Sequence, residues 1–96
     1  MLIHMFAFRW LPAATADDKA RALQELRAFA GRIPGMIEIH VGTNLAARHA
    51  GYETGGVMKF TDQAALTAYG DHPLHQALLA WLLPLIEPIE VDFPSE

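Results

Sequence analysis

From Leu2 to Trp10 the side chains sort into two sets with a period of two. One set is Leu2, His4, Phe6, Phe8 and Trp10; the other is Ile3, Met5, Ala7 and Arg9. A period of two predicts a strand. Both sets are largely apolar, which suits a central strand covered on both faces. Pro12 ends it. The period then changes. Leu23, Leu26, Ala30 and Ile33 form a helical stripe, widened by Ala22 and Phe29. Thr15 is the expected N-cap, with Asp18 three residues on and acids in the first turn. The helix is predicted to reach about Ala30, where Gly31 and Pro34 stop it. Asp17 and Arg21 are spaced to pair on its wet side.

Alternation returns at Met36 to Gly42, with Ile37, Ile39 and Val41 opposed to Met36, Glu38 and His40. A polar loop from Thr43 to Gly51 leads to a third strand, Tyr52 to Phe60. Gly55 and Gly56 within it mark a bulge or a close backbone approach. Thr61 or Asp62 caps a second helix carrying Ala65, Leu66 and Tyr69. Gly70 interrupts that helix, Pro73 restarts it, and Leu78, Leu79 and Leu82 carry it towards Pro84. The last strand, Ile86 to Phe93, opposes Ile89, Val91 and Phe93 to Glu90 and Asp92. The order βαββαβ predicts one α+β domain over residues 1–96. Its fold is ferredoxin-like: a four-stranded antiparallel sheet with two helices on one face. Two helices cover one face only. The apolar positions of the other face need a cover, and a second copy of the chain is the simplest, so a homodimer through the sheet face is expected.

Composition sharpens this picture in a few places. Of the 96 residues, 52 % are apolar, which raises the chance of a face buried between copies. Net charge is −4 with seven Lys plus Arg and no basic stripe, so no nucleic-acid footprint is present. Cysteine is absent, which removes disulfides and thiol nucleophiles and fits a cytoplasmic location. "MLIHMFAFRW" reads as a strand, not a signal peptide, and no apolar run reaches the length of a membrane span. "ETGGVMKF" lacks the helix start and the Lys-Ser/Thr of a phosphate loop.

The chemistry concentrates in "YGDHPLHQALL", residues 69–79. Proline favours the first helical position and holds the residue before it extended. His72 is therefore the expected N-cap and His75 lies near the third helical residue. The positive end of a helix dipole favours a neutral imidazole, and a neutral imidazole accepts protons. The Tyr69 phenol can donate to a developing oxyanion. His4 is expected to meet His75, because the first strand and the second helix pack together in this fold. The bland readings are a capping His72, a core His4 and structural leucines. His49, beside Arg48 in a polar loop, reads as solvated, and His40 lies on the mixed face of an outer strand. HxxH with Glu90 or Asp92 falls short of a zinc signature, so neither metal nor cofactor is expected.

The chain resembles the stress-responsive A/B barrel domain family of dimeric α+β barrels. The resemblance rests on "HMFAFRW", "IPGM", "VGTN", "GYETGGVMKF", "FTDQAALTAYGDHPLH" and the terminal "VDF", and covers nearly the whole chain. It implies a protomer whose sheet packs against its twin. Many members of that family have no assigned activity, while one plant member closes a polyketide by aldol condensation. Its base and phenol match His75 and Tyr69 here. Its pocket histidine matches His4, and the first histidine of its motif matches His72. Thr54 stands where that cyclase has a further histidine, and "QALLAWLLP" is bulkier than its counterpart. Two functions follow as expectations. The first is a homodimer binding a small apolar carbonyl-type ligand among His4, Phe6, Phe8, His72 and Leu78, in a pocket between the first strand and both helices. The second is a cofactor-independent cyclase, isomerase or lyase with His75 as base and Tyr69 as partner.

Overall fold

The computed structural model describes residues 1–95. The elements run β1 (Leu2–Trp10), α1 (Ala16–Arg27), β2 (Met36–Thr43), β3 (Tyr52–Phe60), α2 (Gln63–Asp71), α3 (Pro73–Leu82), a 3₁₀ turn (Leu83–Leu85) and β4 (Ile86–Pro94). The sheet is antiparallel in the order β2-β3-β1-β4, so β1 and β3 are central. This is the ferredoxin-like fold. Phe6 and Phe8 of β1, Met58 and Phe60 of β3, Leu26 of α1 and Leu82 of α3 build the core between sheet and helices. Burying each such side chain contributes about 1.5–3 kcal/mol relative to exposure.

Thr15 caps α1 in a capping box. Its hydroxyl accepts from Asp18 N–H at 3.1 Å, and the Asp18 carboxylate accepts from Thr15 N–H at 2.9 Å. The helix ends at Arg27, earlier than its apolar stripe. Phe29, Ala30 and Arg32 then bond to the carbonyls three residues back, a tighter winding that still buries Phe29 and Ile33. Gly31, at φ +74°, closes the segment. Arg21 pairs with Glu25 at 2.5 Å, not with Asp17, because the Trp81 ring lies 4.2 Å beneath its guanidinium and holds it on that side.

A bulge between Met36 and Glu38 shifts the register of β2 against β3. It puts Met36 on the core side with Ile39 and Val41 and leaves Ile37 exposed, contrary to the simple alternation. The second helix is also two helices. α2 runs through Gly70, and the break falls at His72, whose backbone is extended (φ −64°, ψ 137°) ahead of Pro73. Gly56 marks a close approach and not a bulge. A Cβ there would stand 2.6 Å from the Phe6 ring and 2.7 Å from the His40 carbonyl.

The face of the sheet away from the helices stays apolar. Met5, Ile89, Val91 and Phe93 are exposed on it, beside half-buried Ile3, Ala7 and Val57. Among the described residues no helix is long and apolar enough to cross a membrane.

Candidate functional site

Four elements converge on one space. β1 carries His4, Phe6 and Phe8 on its helix-facing side, and β4 lies beside it with His4 opposite Asp92 and Phe6 opposite Glu90. The end of α2 supplies Tyr69, and the first turn of α3 supplies His75. Asp62 caps α2 by accepting from Ala65 N–H at 2.8 Å. At the α2–α3 junction His72 serves both helices. Its N–H donates to the Tyr69 carbonyl at 3.1 Å, and its Nδ1 accepts from Leu74 N–H at 3.1 Å. Its ring is thereby spent on capping and is absent from the cavity wall, so the expected binding role for His72 has no geometry behind it.

His75 Nδ1 lies 3.0 Å from the Gly70 carbonyl. A carbonyl only accepts, so Nδ1 carries the hydrogen, and in the neutral ring Nε2 keeps its lone pair. The Tyr69 ring sits 4.3 Å from the His75 ring, centroid to centroid, and 6.5 Å from that of His4. Tyr69 is only 5 % exposed. None of the side-chain hydrogen bonds among the described residues uses its hydroxyl, yet the oxygen is not sealed in, because the ring borders open space. Burial pushes the phenol well above its ordinary pKa, and the nearby Glu90 carboxylate pushes it further. The phenol therefore stays protonated and remains a donor. His4, 7 % exposed, presents Nδ1 to Asp92 Oδ1 at 2.5 Å. The carboxylate fixes the same tautomer as in His75, with Nε2 away from the partner.

The space has two compartments. The inner one, about 60 Å³, is apolar, walled by Phe6, Phe8, Met58, Leu78 and Leu82. The outer one, about 210 Å³, is mixed in character, walled by Gln63, Leu66, Thr67, Gly70 and Asp92. His4, Tyr69, His75 and Glu90 border both. Of the residues read from sequence, His4, Phe6, Phe8, Tyr69, His75 and Leu78 share this space. The expected contribution of the first helix is absent: α1 lines neither compartment, because it packs over β2, at the opposite edge of the sheet from β4. Asp92 and Glu90, weighed in the sequence only as weak metal ligands, stand at the site as carboxylates beside His4 and Tyr69. Among the described residues no group of three or more His, Asp, Glu or Cys is placed to hold a metal.

The profile of the stress-responsive A/B barrel domain matches residues 2–95. No curated protein sequence matches the chain. Solved structures do. A dimeric ferredoxin-like protein of unknown function from Thermobifida fusca is 26 % identical, covering 98 % of this chain and 90 % of its own, at a TM-score of 0.86. A similar dimeric protein from Jannaschia is 28 % identical, covering 98 % of each chain, at 0.83. A hydroxynitrile lyase from Passiflora edulis, 14 % identical, covers 99 % of this chain and 93 % of its own at 0.86, a likeness of fold alone. The chain belongs to the stress-responsive A/B barrel domain family.

Proposed function

We propose that this member of the stress-responsive A/B barrel family is a homodimer that binds a small carbonyl compound in the His/Tyr-lined space of each protomer. The observation that carries the reading is the unpartnered Tyr69 hydroxyl. That oxygen opens onto the cavity, where water or a ligand acceptor can meet it. Beside it lies an apolar recess of about 60 Å³. A carbonyl oxygen accepts from that phenol while its alkyl part fills the recess. The dimer rests on the exposed apolar stripe of β1 and β4 and on the dimeric state of the relatives from Thermobifida fusca and Jannaschia.

A second reading adds catalysis, favoured by the tautomer of His75. With Nδ1 held by the Gly70 carbonyl, Nε2 is free to remove a proton alpha to the carbonyl. The electron pair of the broken C–H bond moves into the enolate, and Tyr69 donates to its oxygen. Protonation of the enolate restores the neutral ring. This is the half-reaction shared by aldol-type cyclisation and isomerisation. The lyase from Passiflora edulis supports the capacity of the fold for such chemistry, and no more.

Methyl propyl ketone in deuterated buffer tests both readings. Binding moves the ring resonances of Tyr69 and His75, and catalysis accelerates exchange of the alpha protons in a way that His75→Gln abolishes. Unmoved resonances at saturating ketone refute the binding site. Binding without enhanced exchange refutes the catalytic step.

A further inference from the structure

We infer that the site selects short, uncharged carbonyl compounds whose polar end donates hydrogen bonds, and that it rejects anions. This rests on the binding reading above and adds the class of ligand. Its grounds are the size of the inner compartment and the chemistry of the outer one.

The inner compartment is about 60 Å³. An apolar cavity of roughly 150 Å³ holds one benzene, so the recess accommodates about two to three carbons. Leu78 and Leu82, both buried, form part of its wall and set that length. A propyl group fits. A pentyl chain requires one of those leucines to move.

The outer compartment lacks cations. No Lys or Arg lines either space, whereas Glu90 borders both and Asp92 borders the outer one. The ion pairs of the described residues leave Glu90 without a cation, and Asp92 meets only His4. Its Oδ1 is turned to His4 Nδ1. The other polar groups there are the Thr67 hydroxyl and the Gln63 amide. Acceptors thus outnumber donors. Two carboxylates, two imidazole Nε2 atoms in the neutral rings, a hydroxyl oxygen and an amide oxygen accept, against three donor groups: the Tyr69 and Thr67 hydroxyls and the Gln63 amide NH2. A ligand carboxylate placed there meets like charge within a few ångströms and few donors to offset it. Both protein carboxylates are partly solvated, which limits the penalty to about tenfold in affinity. A hydroxyl at the same position donates to an acceptor and gains instead.

Three probes share a propyl tail and a carbonyl and differ only at the polar end: methyl propyl ketone, hydroxymethyl propyl ketone and α-ketovalerate. Each is titrated into the intact protein at about pH 8, where free histidine is neutral, and followed by the ring resonances of His4, Tyr69 and His75. The hydroxyketone is expected to bind a few-fold tighter than the ketone, and the keto acid about tenfold weaker. Glu90→Gln, a substitution at an exposed strand position, is expected to narrow the gap between keto acid and hydroxyketone at least threefold. A keto acid that binds as tightly as the hydroxyketone to the unaltered protein overturns the inference, and so does a gap that Glu90→Gln leaves unchanged. If methyl propyl ketone itself fails to shift those resonances, the binding reading falls and this inference with it. That outcome is distinct from a ketone that binds while the keto acid binds equally well.

Discussion

Gly56→Ala probes the link between strand packing and the cavity. The added Cβ would lie 2.6 Å from Phe6 Cζ, 2.6 Å from Val41 Cγ1 and 2.7 Å from the His40 carbonyl oxygen. Ordinary carbon contacts begin near about 3.5 Å, so each overlap approaches an ångström. Val41 and Gly56 are direct partners between β2 and β3, and the His40 carbonyl is main chain. Neither yields without parting the strands. The Phe6 ring can swing, but Phe8 is stacked 5.3 Å away, which leaves the inner compartment as its route. Overpacking of this kind costs about 1–3 kcal/mol, and the backbone clash puts this site at the upper end. Reduced freedom of the unfolded chain returns about 0.4–1 kcal/mol. The net loss is about 2 kcal/mol, or a fall in Tm of roughly 8–16 °C for a domain of this size. Thermal unfolding by circular dichroism at fixed protein concentration measures it, since the proposed dimer would make Tm concentration-dependent. Gly70→Ala is the matching control, because nothing lies within 4 Å of its added Cβ and it sits in α2. It should stabilise by up to about 1 kcal/mol. A Gly56→Ala protein that melts within about 2 °C of the parent refutes the packing argument.

Tyr69→Phe should change stability little at neutral pH, because the hydroxyl has no protein partner to lose. The phenol is raised in the folded state, so folding is fully favoured below the unfolded value near about 10 and loses stability as pH rises through the folded one. The variant should lose less stability than the parent between neutral pH and about pH 11 in urea titrations; an identical loss sinks that account. His72→Ala removes the cap of α3 and should cost about 1 kcal/mol, while ketone-induced shifts at Tyr69 persist; loss of those shifts without loss of fold would place His72 in the site after all. Asp92→Ala strands Nδ1 of a buried His4. Because Asp92 is 40 % exposed and water can enter, the cost should sit near the low end, about 1 kcal/mol, and the ¹⁵N spectrum should show His4 losing its single tautomer; an unchanged tautomer counts against the pair. Val91→Glu puts charge on the outer face and should yield monomers in sedimentation velocity; dimers that survive it argue for a different interface.

The element order was readable because each strand and helix keeps its period over several residues, and proline and glycine fall at the ends. What escaped the pattern are the places where one residue changes register or pairing. The bulge at Ile37 follows from how β2 meets β3, and a period of two within β2 alone cannot show it. The stripe through Phe29 and Ile33 looks like helix because a 3₁₀-like winding also returns side chains to one face. Arg21 has acids four residues away on either side, Asp17 and Glu25, and a distant residue, Trp81, decides between them. At the site, Tyr69 and His75 were legible because Pro73 fixes the helix start between them. The partner of His4 was not. Asp92 lies 88 residues away, and only the cross-strand register of β1 and β4 brings the two together. The topology contains that adjacency, so aligning the helix-facing positions of the first and last strands would have offered Asp92 and Glu90 as candidates.

β4 shows why one short strand ties the two proposals together. It is an edge strand, and its side chains alternate between two tasks. Glu90 and Asp92 face the cavity, while Ile89, Val91 and Phe93 lie on the outer apolar face. An edge strand held on one side only is the part of a sheet most prone to open. Here it carries the carboxylate that orients His4. In the proposed dimer, a second copy packed on the outer face would hold down the three residues interleaved with the two acids. Dimerisation would then steady the register that places Asp92 opposite His4. On the proposed reading, the apolar outer face of β4 would serve the chemistry of the inner one, although no residue of that face borders the cavity.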